Sequence, residues 1–173
     1  MGRITFAEYQ EGFTSSKELW LGLDNIAELT TYATWELWIE LTTWGGNIYP
    51  PKKLHAFYKN FKVGQGPGYT LTATTADTTR STLNTYSINH SNGNKFSAID
   101  LDQDRKTNGN CSVASGGHGG WWFGKCHHCN LNGNNYERPT ENIAGITWHH
   151  NGESMTNSWN SFKETKMAIR KKL

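Results

Sequence analysis

Hydrophobic and polar positions alternate over short runs in the first half of the chain. The clearest run is W-E-L-W-I-E-L at residues 35–41, and two further runs occupy residues 56–63 and 69–73. A period of two predicts β-strands that turn one face toward a core. The turn G-Q-G-P-G at residues 64–68 separates the last two runs, so the pattern predicts an antiparallel sheet of short strands.

Two other segments carry regular patterns. Asp24 is placed to begin a short helix that turns Ile26, Ala27 and Leu29 toward the core. Near the end of the chain, residues 165–170 are again typical of a strand. Helices that are few and short beside several strands favour an α+β or β-rich domain.

The pattern changes after about residue 83. Residues 84–135 are rich in Asn, Gly and Ser and show little periodicity. A stretch of roughly 50 residues without regular structure is unusual in a compact domain unless a covalent link or a bound ion fixes it. We therefore expect this half of the chain to contain such a constraint.

Composition narrows the possible functions. Charged residues make up only 18% of the 173 residues, whereas aromatic residues reach 13% and glycine occurs 18 times. This balance favours an extracellular recognition domain, with a compact α+β enzyme as the alternative. The net charge of +2 argues against a nucleic-acid partner, and no apolar run approaches the length that inserts into a membrane. G-x-S-x-G, H-E-x-x-H and P-loop motifs are all missing from the sequence, so we expect a protein that is not an enzyme.

The tetrapeptide Cys126-His127-His128-Cys129 offers four candidate metal ligands side by side. A closed zinc site needs four convergent ligands, and no second pair at a recognisable spacing accompanies these. A disulfide between Cys111 and Cys126 is favoured over zinc, because it would close a loop of about 15 residues and contribute roughly 3 kcal/mol. Cys129 would then remain as a free thiol, as a link to another chain, or as the partner of a cysteine outside these 173 residues.

An acidic segment lies just before these cysteines. Asp100, Asp102 and Asp104 alternate within F-S-A-I-D-L-D-Q-D, and polar turn residues follow. Clustered oxygen ligands in a turn suit Ca2+, with a solvated acidic turn as the alternative. An EF-hand loop does not fit, because the required Gly and Glu positions hold Arg105 and Cys111.

Four motifs in order resemble one known family. F-S-A-I-D-L-D-Q-D and G-G-W-W-F-G-K-C-H-H-C-N-L-N-G resemble the C-terminal globular domain of fibrinogen, which ficolins, tachylectins and angiopoietin-like proteins share. E-Y-Q-E-G-F…E-L-W-L-G-L-D-N-I near the start and G-I-T-W…S-F-K-E-T-K-M-A-I near the end match the same family. The resemblance covers essentially the whole chain.

The resemblance implies an α+β fold, with a twisted antiparallel sheet, short helices and a loop-rich calcium-binding subdomain. Residues 1–83 would form the central sheet subdomain and residues 84–164 the loop-rich binding subdomain. Residues 165–173 would form a C-terminal strand that returns to the sheet. By the same comparison, residues 1–173 would be one truncated domain that lacks the family's N-terminal subdomain.

The resemblance also assigns a calcium site. Asp102 and Asp104 match the side-chain ligands, and Asp100 matches an acidic position behind them. Main-chain carbonyls at Lys106 and Asn108 would complete the coordination together with water.

The family's disulfide and ligand pocket correspond to the second motif. Cys111 and Cys126 match the disulfide, and the peptide between Lys125 and Cys126 matches one that is often cis in the family. In ficolin-like members this geometry directs the main-chain N–H groups of Cys126 and His127 toward an acetyl carbonyl. His127 matches the pocket histidine, while His128 and Cys129 are expected in a solvent-facing loop.

Several pocket positions differ from the acetyl-binding members. His118 stands where an aromatic cluster is expected, and Asn160 stands where those members have Tyr. Trp159 lies beside it and completes the candidate ligand-binding set of Cys126, His127, His118, Trp159 and Asn160. Trp121 and Trp122 are expected in the core instead.

These features predict a secreted, calcium-dependent recognition module of the lectin-like, innate-immune type. It would bind glycans or acetylated surface groups and form oligomers through regions outside this chain. The alternative is a protein-binding module of the angiopoietin-like type, which docks a cell-surface receptor or matrix protein. Asn89-His90-Ser91 is an N-glycosylation sequon and fits a secreted glycoprotein.

Overall fold

The computed structural model describes residues 3–46, 50–116, 119–149 and 161–172. The helices are short: α1 (Phe6–Glu11), α2 (Leu23–Thr31), α3 (Tyr86–Asn89) and α4 (Cys111–Ala114). The strands of the front half are β1 (Phe13–Thr14), β2 (Leu19–Trp20), β3 (Trp35–Thr42), β4 (Lys53–Val63) and β5 (Leu71–Ala76). Those of the back half are β6 (Cys129–Asn130), β7 (Thr147–Trp148) and β8 (Glu164–Lys171).

The centre of the fold is a four-stranded antiparallel sheet with the order β5-β4-β3-β8. Along β3, Leu37, Ile39 and Leu41 are fully buried, whereas Glu36 and Trp38 lie on the opposite face. The alternation read from the sequence at residues 35–41 is therefore a strand with one face in the core. The predicted antiparallel α+β architecture is confirmed.

Helix α2 packs against the core-facing side of this sheet. Leu23, Ala27 and Thr30 are buried, and the Thr30 hydroxyl accepts a 3.1 Å hydrogen bond from the main-chain N–H of Val63 in β4. Leu29 was expected to face inward, but it is 45% exposed. The contact face follows positions 23, 27 and 30 at helical spacing, so residue 29 is turned toward solvent.

Helix α1 connects the start of the chain to the back half. Thr5 and Glu8 form a capping box at its N-terminus. The hydroxyl of Tyr9, which is 1% exposed, accepts a 3.0 Å hydrogen bond from the N–H of Gly120. A Cβ atom at Gly120 would lie 2.5 Å from the ring of Phe96, so only glycine allows this close approach.

Two tryptophans anchor the long irregular segment. Trp121 and Trp122 are 0% and 1% exposed, so their predicted place in the core is confirmed. The indole N–H of Trp121 donates to Oγ of Ser91, and that of Trp122 donates to the carbonyl of Tyr69. These bonds attach the loops on both sides of the acidic segment to one aromatic core.

Strand β8 pairs antiparallel with β3 along its whole length, from Thr42 opposite Glu164 to Trp35 opposite Lys171. The strand expected at residues 165–170 is thus the fourth strand of the central sheet. The subdomain limits at residues 83 and 164 remain predictions. Within the described ranges, no helix combines the length and the apolar character that crossing a bilayer requires.

Candidate ligand-binding site

A disulfide closes the loop that carries the candidate ligand contacts. Cys111, at the start of α4, is bonded to Cys126, with 5.3 Å between their Cα atoms. The peptide bond between Lys125 and Cys126 is cis, as the resemblance implied. The Cys126 sulfur is therefore engaged in a covalent bond, and the zinc alternative loses one of its ligands.

The acidic segment folds around its own carboxylates. Asp104 accepts hydrogen bonds from the N–H of Lys106 through Oδ1 and from the N–H of Cys111 through Oδ2, both at 2.7 Å. Asp102 accepts a 3.2 Å bond from the N–H of Asp104. Asp100 binds the start of α1 instead, since its Oδ1 accepts a 2.8 Å hydrogen bond from the N–H of Phe6.

The electrostatics of Asp102 and Asp104 favour a nearby cation. Burial, followed by the proximity of the Asp104 carboxylate, raises the pKa of Asp102. Two carboxylates at close range are stabilised when a positive charge lies between them, and oxygen ligands are those that Ca2+ prefers. Asp102 and Asp104 are therefore candidate ligands for a calcium ion.

Side chains alone do not complete such a site. No group of three or more His, Cys, Asp or Glu side chains is arranged for a metal ion among the residues that the structure describes. Coordination here would need main-chain oxygens, as the resemblance assigns to Lys106 and Asn108. Both residues are exposed in the segment between Asp104 and Cys111.

His127 is buried beneath the loop surface. His127 is only 5% exposed, and its Nδ1 lies 3.2 Å from Oγ of Ser115. Burial lowers the pKa of His127 to about 4, and an interaction with the carbonyl of Ile143 opposes this shift only in part. The ring is therefore uncharged at neutral pH and packs inside the loop against Ser115.

This Ser115–His127 pair does not favour hydrolytic chemistry. Both residues are buried, which keeps the hydroxyl away from a substrate. A histidine with a pKa of about 4 is also a weak general base at neutral pH. The remaining candidate contacts, His118, Trp159 and Asn160, lie outside the described residues.

The expectation of a solvent-facing loop is wrong for Cys129, whereas His128 is partly exposed. Cys129 is 0% exposed, because β6 pairs with β7 and sets Cys129 opposite Trp148. Burial raises the pKa of its thiol to about 12, and its Sγ lies 3.6 Å from the carbonyl oxygen of Ser87. A buried thiol of this kind is not placed to link two chains.

His128 lies in a stack of rings that sequence reasoning missed. Its ring centroid is 4.2 Å from that of His90, with 7° between the planes, and 5.3 Å from that of His149, with 28° between the planes. Burial lowers the pKa of His128, and the nearby His90 and His149 lower it further. Only the tertiary fold brings positions 90, 128 and 149 together, so no local signal announced the stack.

Beside this stack is a cavity of about 380 Å³. The residues that line it are mostly polar or basic: Tyr86, Asn89, His90, Asn92, Asn94, Arg105, Gly124 and Lys125. One available signal was the position of two cations directly beside candidate site residues, since Arg105 follows Asp104 and Lys125 precedes Cys126.

Comparison with known proteins agrees with the geometry. The family model described as "Fibrinogen beta and gamma chains, C-terminal globular domain" matches residues 3–172. Mouse Angiopoietin-2 is 33% identical over 170 residues, which cover 96% of this chain and 31% of that protein. The chain therefore spans about a third of the length of this curated relative.

Two solved structures have a similar fold. The fibrinogen-like globe domain of human ANGPTL6 superposes with a TM-score of 0.80 at 28% identity, over 98% of this chain and 72% of that one. A lamprey fibrin D-dimer, solved with the peptide ligand Gly-His-Arg-Pro-amide, gives a TM-score of 0.67 at 28% identity. That similarity covers 94% of this chain and 54% of the lamprey chain.

Proposed function

Because the chain belongs to the family of the fibrinogen C-terminal globular domain, we propose that it is a secreted, calcium-dependent recognition module that binds glycans or acetylated surface groups. A role in recognition is what the family supports. The dependence on calcium, the class of ligand and the secretion of the protein are proposed in addition to this role. The disulfide favours secretion, since such bonds persist in oxidising compartments.

One observation carries the proposal. Asp104, a candidate calcium ligand, accepts a hydrogen bond from the N–H of Cys111, and Cys111 is bonded to Cys126. The ion-binding segment is thus attached directly to the loop that carries Cys126 and His127. Calcium bound between Asp102 and Asp104 would neutralise their charge and hold this loop in one conformation.

The ligand contacts would be made largely by main chain. Since the His127 ring is buried against Ser115, the N–H groups of Cys126 and His127 are the proposed donors to an acetyl or sugar oxygen. Asn160 replaces an aromatic residue of the acetyl-binding members, which favours a polar ligand over one that needs an apolar cup around a methyl group.

A single shallow site of this kind binds weakly, so the proposed module would act in an oligomer assembled by other parts of the protein. Catalysis is not part of the proposal, because the buried Ser115–His127 pair is poorly suited to it. Neither nucleic acid nor membrane insertion is part of it either.

A glycan array tests the proposal when it is read with CaCl2 and again with EDTA. We expect binding to glycans that requires calcium and that Asp102→Asn abolishes. Glu141→Gln is the matched control, because Glu141 is an exposed carboxylate outside the acidic segment. Glycan binding that is equal with EDTA and in Asp102→Asn would overturn the calcium-dependent function.

A protein ligand is the second candidate. The lamprey fibrin D-dimer, similar to this chain over 94% of its length, was solved with a peptide ligand. By analogy, the same loops would dock a segment of a receptor or matrix protein. Immobilised cell-surface and matrix proteins, tested in parallel with the glycan array, separate the two: calcium-sensitive protein binding without any glycan signal would favour this candidate.

A further inference from the structure

Basic side chains line the cavity beside the histidine stack. Its rim includes Arg105 and Lys125, which are exposed, and His90, which is partly buried. Among the residues that the structure describes, none of those lining the cavity is Asp or Glu. Burial, followed by the proximity of Arg105, lowers the pKa of His90.

Main-chain contacts hold Arg105 in place on the rim. The N–H of Arg105 donates to the carbonyl of Gly124 at 3.0 Å, and Nη2 of Arg105 donates to the carbonyl of Gly93 at 3.2 Å. A guanidinium has five N–H donors, so these contacts leave donors that can bind an anion in a fork geometry. Lys125 adds a flexible second charge at the cis peptide.

A hydrogen bond and a glycine define the floor of the cavity. Asn94 is 3% exposed, and its Nδ2 donates to the carbonyl of His90 at 2.7 Å. A Cβ atom at Gly124 would lie 3.1 Å from Nε2 of His90 and 3.2 Å from Nδ2 of Asn94. Glycine at position 124 therefore keeps the space above these two side chains open.

The rest of the wall suits a sugar. Tyr86 is 49% exposed, and an aromatic ring of this kind is a surface on which the C–H face of a pyranose packs. Asn89 supplies an exposed amide that matches sugar hydroxyls. A volume of about 380 Å³ lies at the small end of ligand cavities and holds about one or two sugar rings.

We propose that this cavity is a binding site for anionic saccharides, with a sulfate or carboxylate group of the sugar held by Arg105 and Lys125. Tyr86 packs against the ring, and Asn89 binds its hydroxyl groups. The site goes beyond the recognition function proposed above, because it uses a different cavity and requires neither calcium nor an acetyl group.

The sequon affects how the site must be tested. Asn89 is the acceptor of Asn89-His90-Ser91 and also lines the cavity, so an N-glycan on it would begin at the cavity itself. The full chain should therefore be produced without N-glycosylation, which keeps the Asn89 amide available.

The experiment compares three probes by isothermal titration calorimetry in EDTA at constant salt: N-acetylglucosamine 6-sulfate, N-acetylglucosamine and inorganic sulfate. We expect the sulfated sugar to bind at least tenfold more tightly than either of the other probes. N-acetylglucosamine bound as tightly as its sulfate would overturn the proposal, because the anion would then contribute nothing. Inorganic sulfate bound as tightly as the sulfated sugar would overturn it too, as the site would then select only an anion.

Matched variants test whether the cavity is the site. Arg105→Gln/Lys125→Gln should weaken binding of the sulfated sugar at least tenfold, whereas Lys62→Gln/Arg138→Gln should leave it unchanged. Both pairs remove two charges, and Lys62 and Arg138 are exposed residues away from the cavity. An equal loss in both pairs would overturn the proposal in favour of general charge attraction.

The single variant Lys125→Gln provides an independent measurement if the double variant unfolds. The lysine side chain lies on the exposed rim, so we expect wild-type thermal stability and a threefold or greater loss of affinity for the sulfated sugar. Unchanged affinity in this folded variant would contradict the role of Lys125. Because every measurement is made in EDTA, a negative result leaves the calcium-dependent proposal unaffected.

Discussion

The main-chain N–H of Cys111 donates a 2.7 Å hydrogen bond to Oδ2 of Asp104. One residue belongs to the acidic segment, and the other begins α4 and forms the disulfide with Cys126. A change in the charge of Asp104 would therefore weaken or strengthen a hydrogen bond to the disulfide-bonded loop. The proposed calcium site and the disulfide are therefore coupled through a single carboxylate.

We expect calcium to stabilise the protein and Asp102→Asn to remove that effect. Asparagine keeps the oxygen that accepts from the N–H of Asp104, but it loses the charge that attracts the ion. Calcium at about 100 times its dissociation constant should add about 2.7 kcal/mol to the free energy of unfolding. Thermal melts with CaCl2 and with EDTA measure the difference.

The same variant has a second expected property. In EDTA, Asp102→Asn should be at least as stable as the wild type, because the repulsion between the carboxylates of Asp102 and Asp104 is removed. Glu141→Gln, with an exposed carboxylate elsewhere, should behave as the wild type in both buffers. A calcium-induced rise in melting temperature that persists in Asp102→Asn would contradict the assigned site.

Removing the disulfide should destabilise the fold substantially. Cys111→Ala/Cys126→Ala opens a loop with a sequence separation of 15, for which loop entropy predicts a loss of about 3 kcal/mol. Urea unfolding measured by tryptophan fluorescence gives the free energy. Cys129→Ala is the control, since it removes one buried thiol without opening a loop; an equal loss in the control would mean that the cross-link itself contributes nothing.

Stability should fall as the pH falls from about 6.5 to about 4. The pKa of His127 is about 4 in the folded protein and near 6.5 in the unfolded chain, so the unfolded chain binds more protons in this interval. The stabilisation is complete above pH 6.5, and up to about 3 kcal/mol is lost by pH 4.

Urea midpoints across this pH range measure the effect, and His127→Gln isolates the contribution of one ring. The lowered pKa values of His90 and His128 act in the same direction, so some slope should remain in the variant. A wild-type slope in His127→Gln would show that this residue does not titrate as the structure indicates.

Cys129 should not react in the folded protein. Its side chain is fully buried, and its thiol pKa is raised to about 12 by that burial. Without reductant, Ellman's reagent should detect no thiol under native conditions and one thiol per chain in denaturant, since the other two cysteines are bonded. One rapidly reacting thiol in the native state would refute the buried position.

Hydrophobic periodicity was sufficient to predict the central sheet. Leu37, Ile39 and Leu41 alternate with residues of the other face, and this local pattern is what a strand with one buried side requires. Helix α2 was also predicted, but Leu29 was assigned to the wrong face, because the contact direction depends on where the sheet lies.

The environment of Cys129 could not be predicted in this way. Its burial depends on pairing with Trp148, which is 19 residues away along the chain, and no periodic pattern marks either two-residue strand. Motif resemblance located the acidic segment and the disulfide. The basic cavity was missed, since Tyr86, Arg105 and Lys125 come from three separate segments that only the folded core brings together.

The pairing of β8 with β3 constrains the order in which the molecule is completed during synthesis. Strand β3 is finished at residue 42, yet its second neighbour spans Glu164–Lys171. On the ribosome, β3 and β4 can form a hairpin early. The other edge of β3 stays unpaired until more than 100 further residues have been synthesised. A premature stop within the back half would leave that edge unpaired and prone to aggregation, so quality control should remove such products even though most of their sheet is intact.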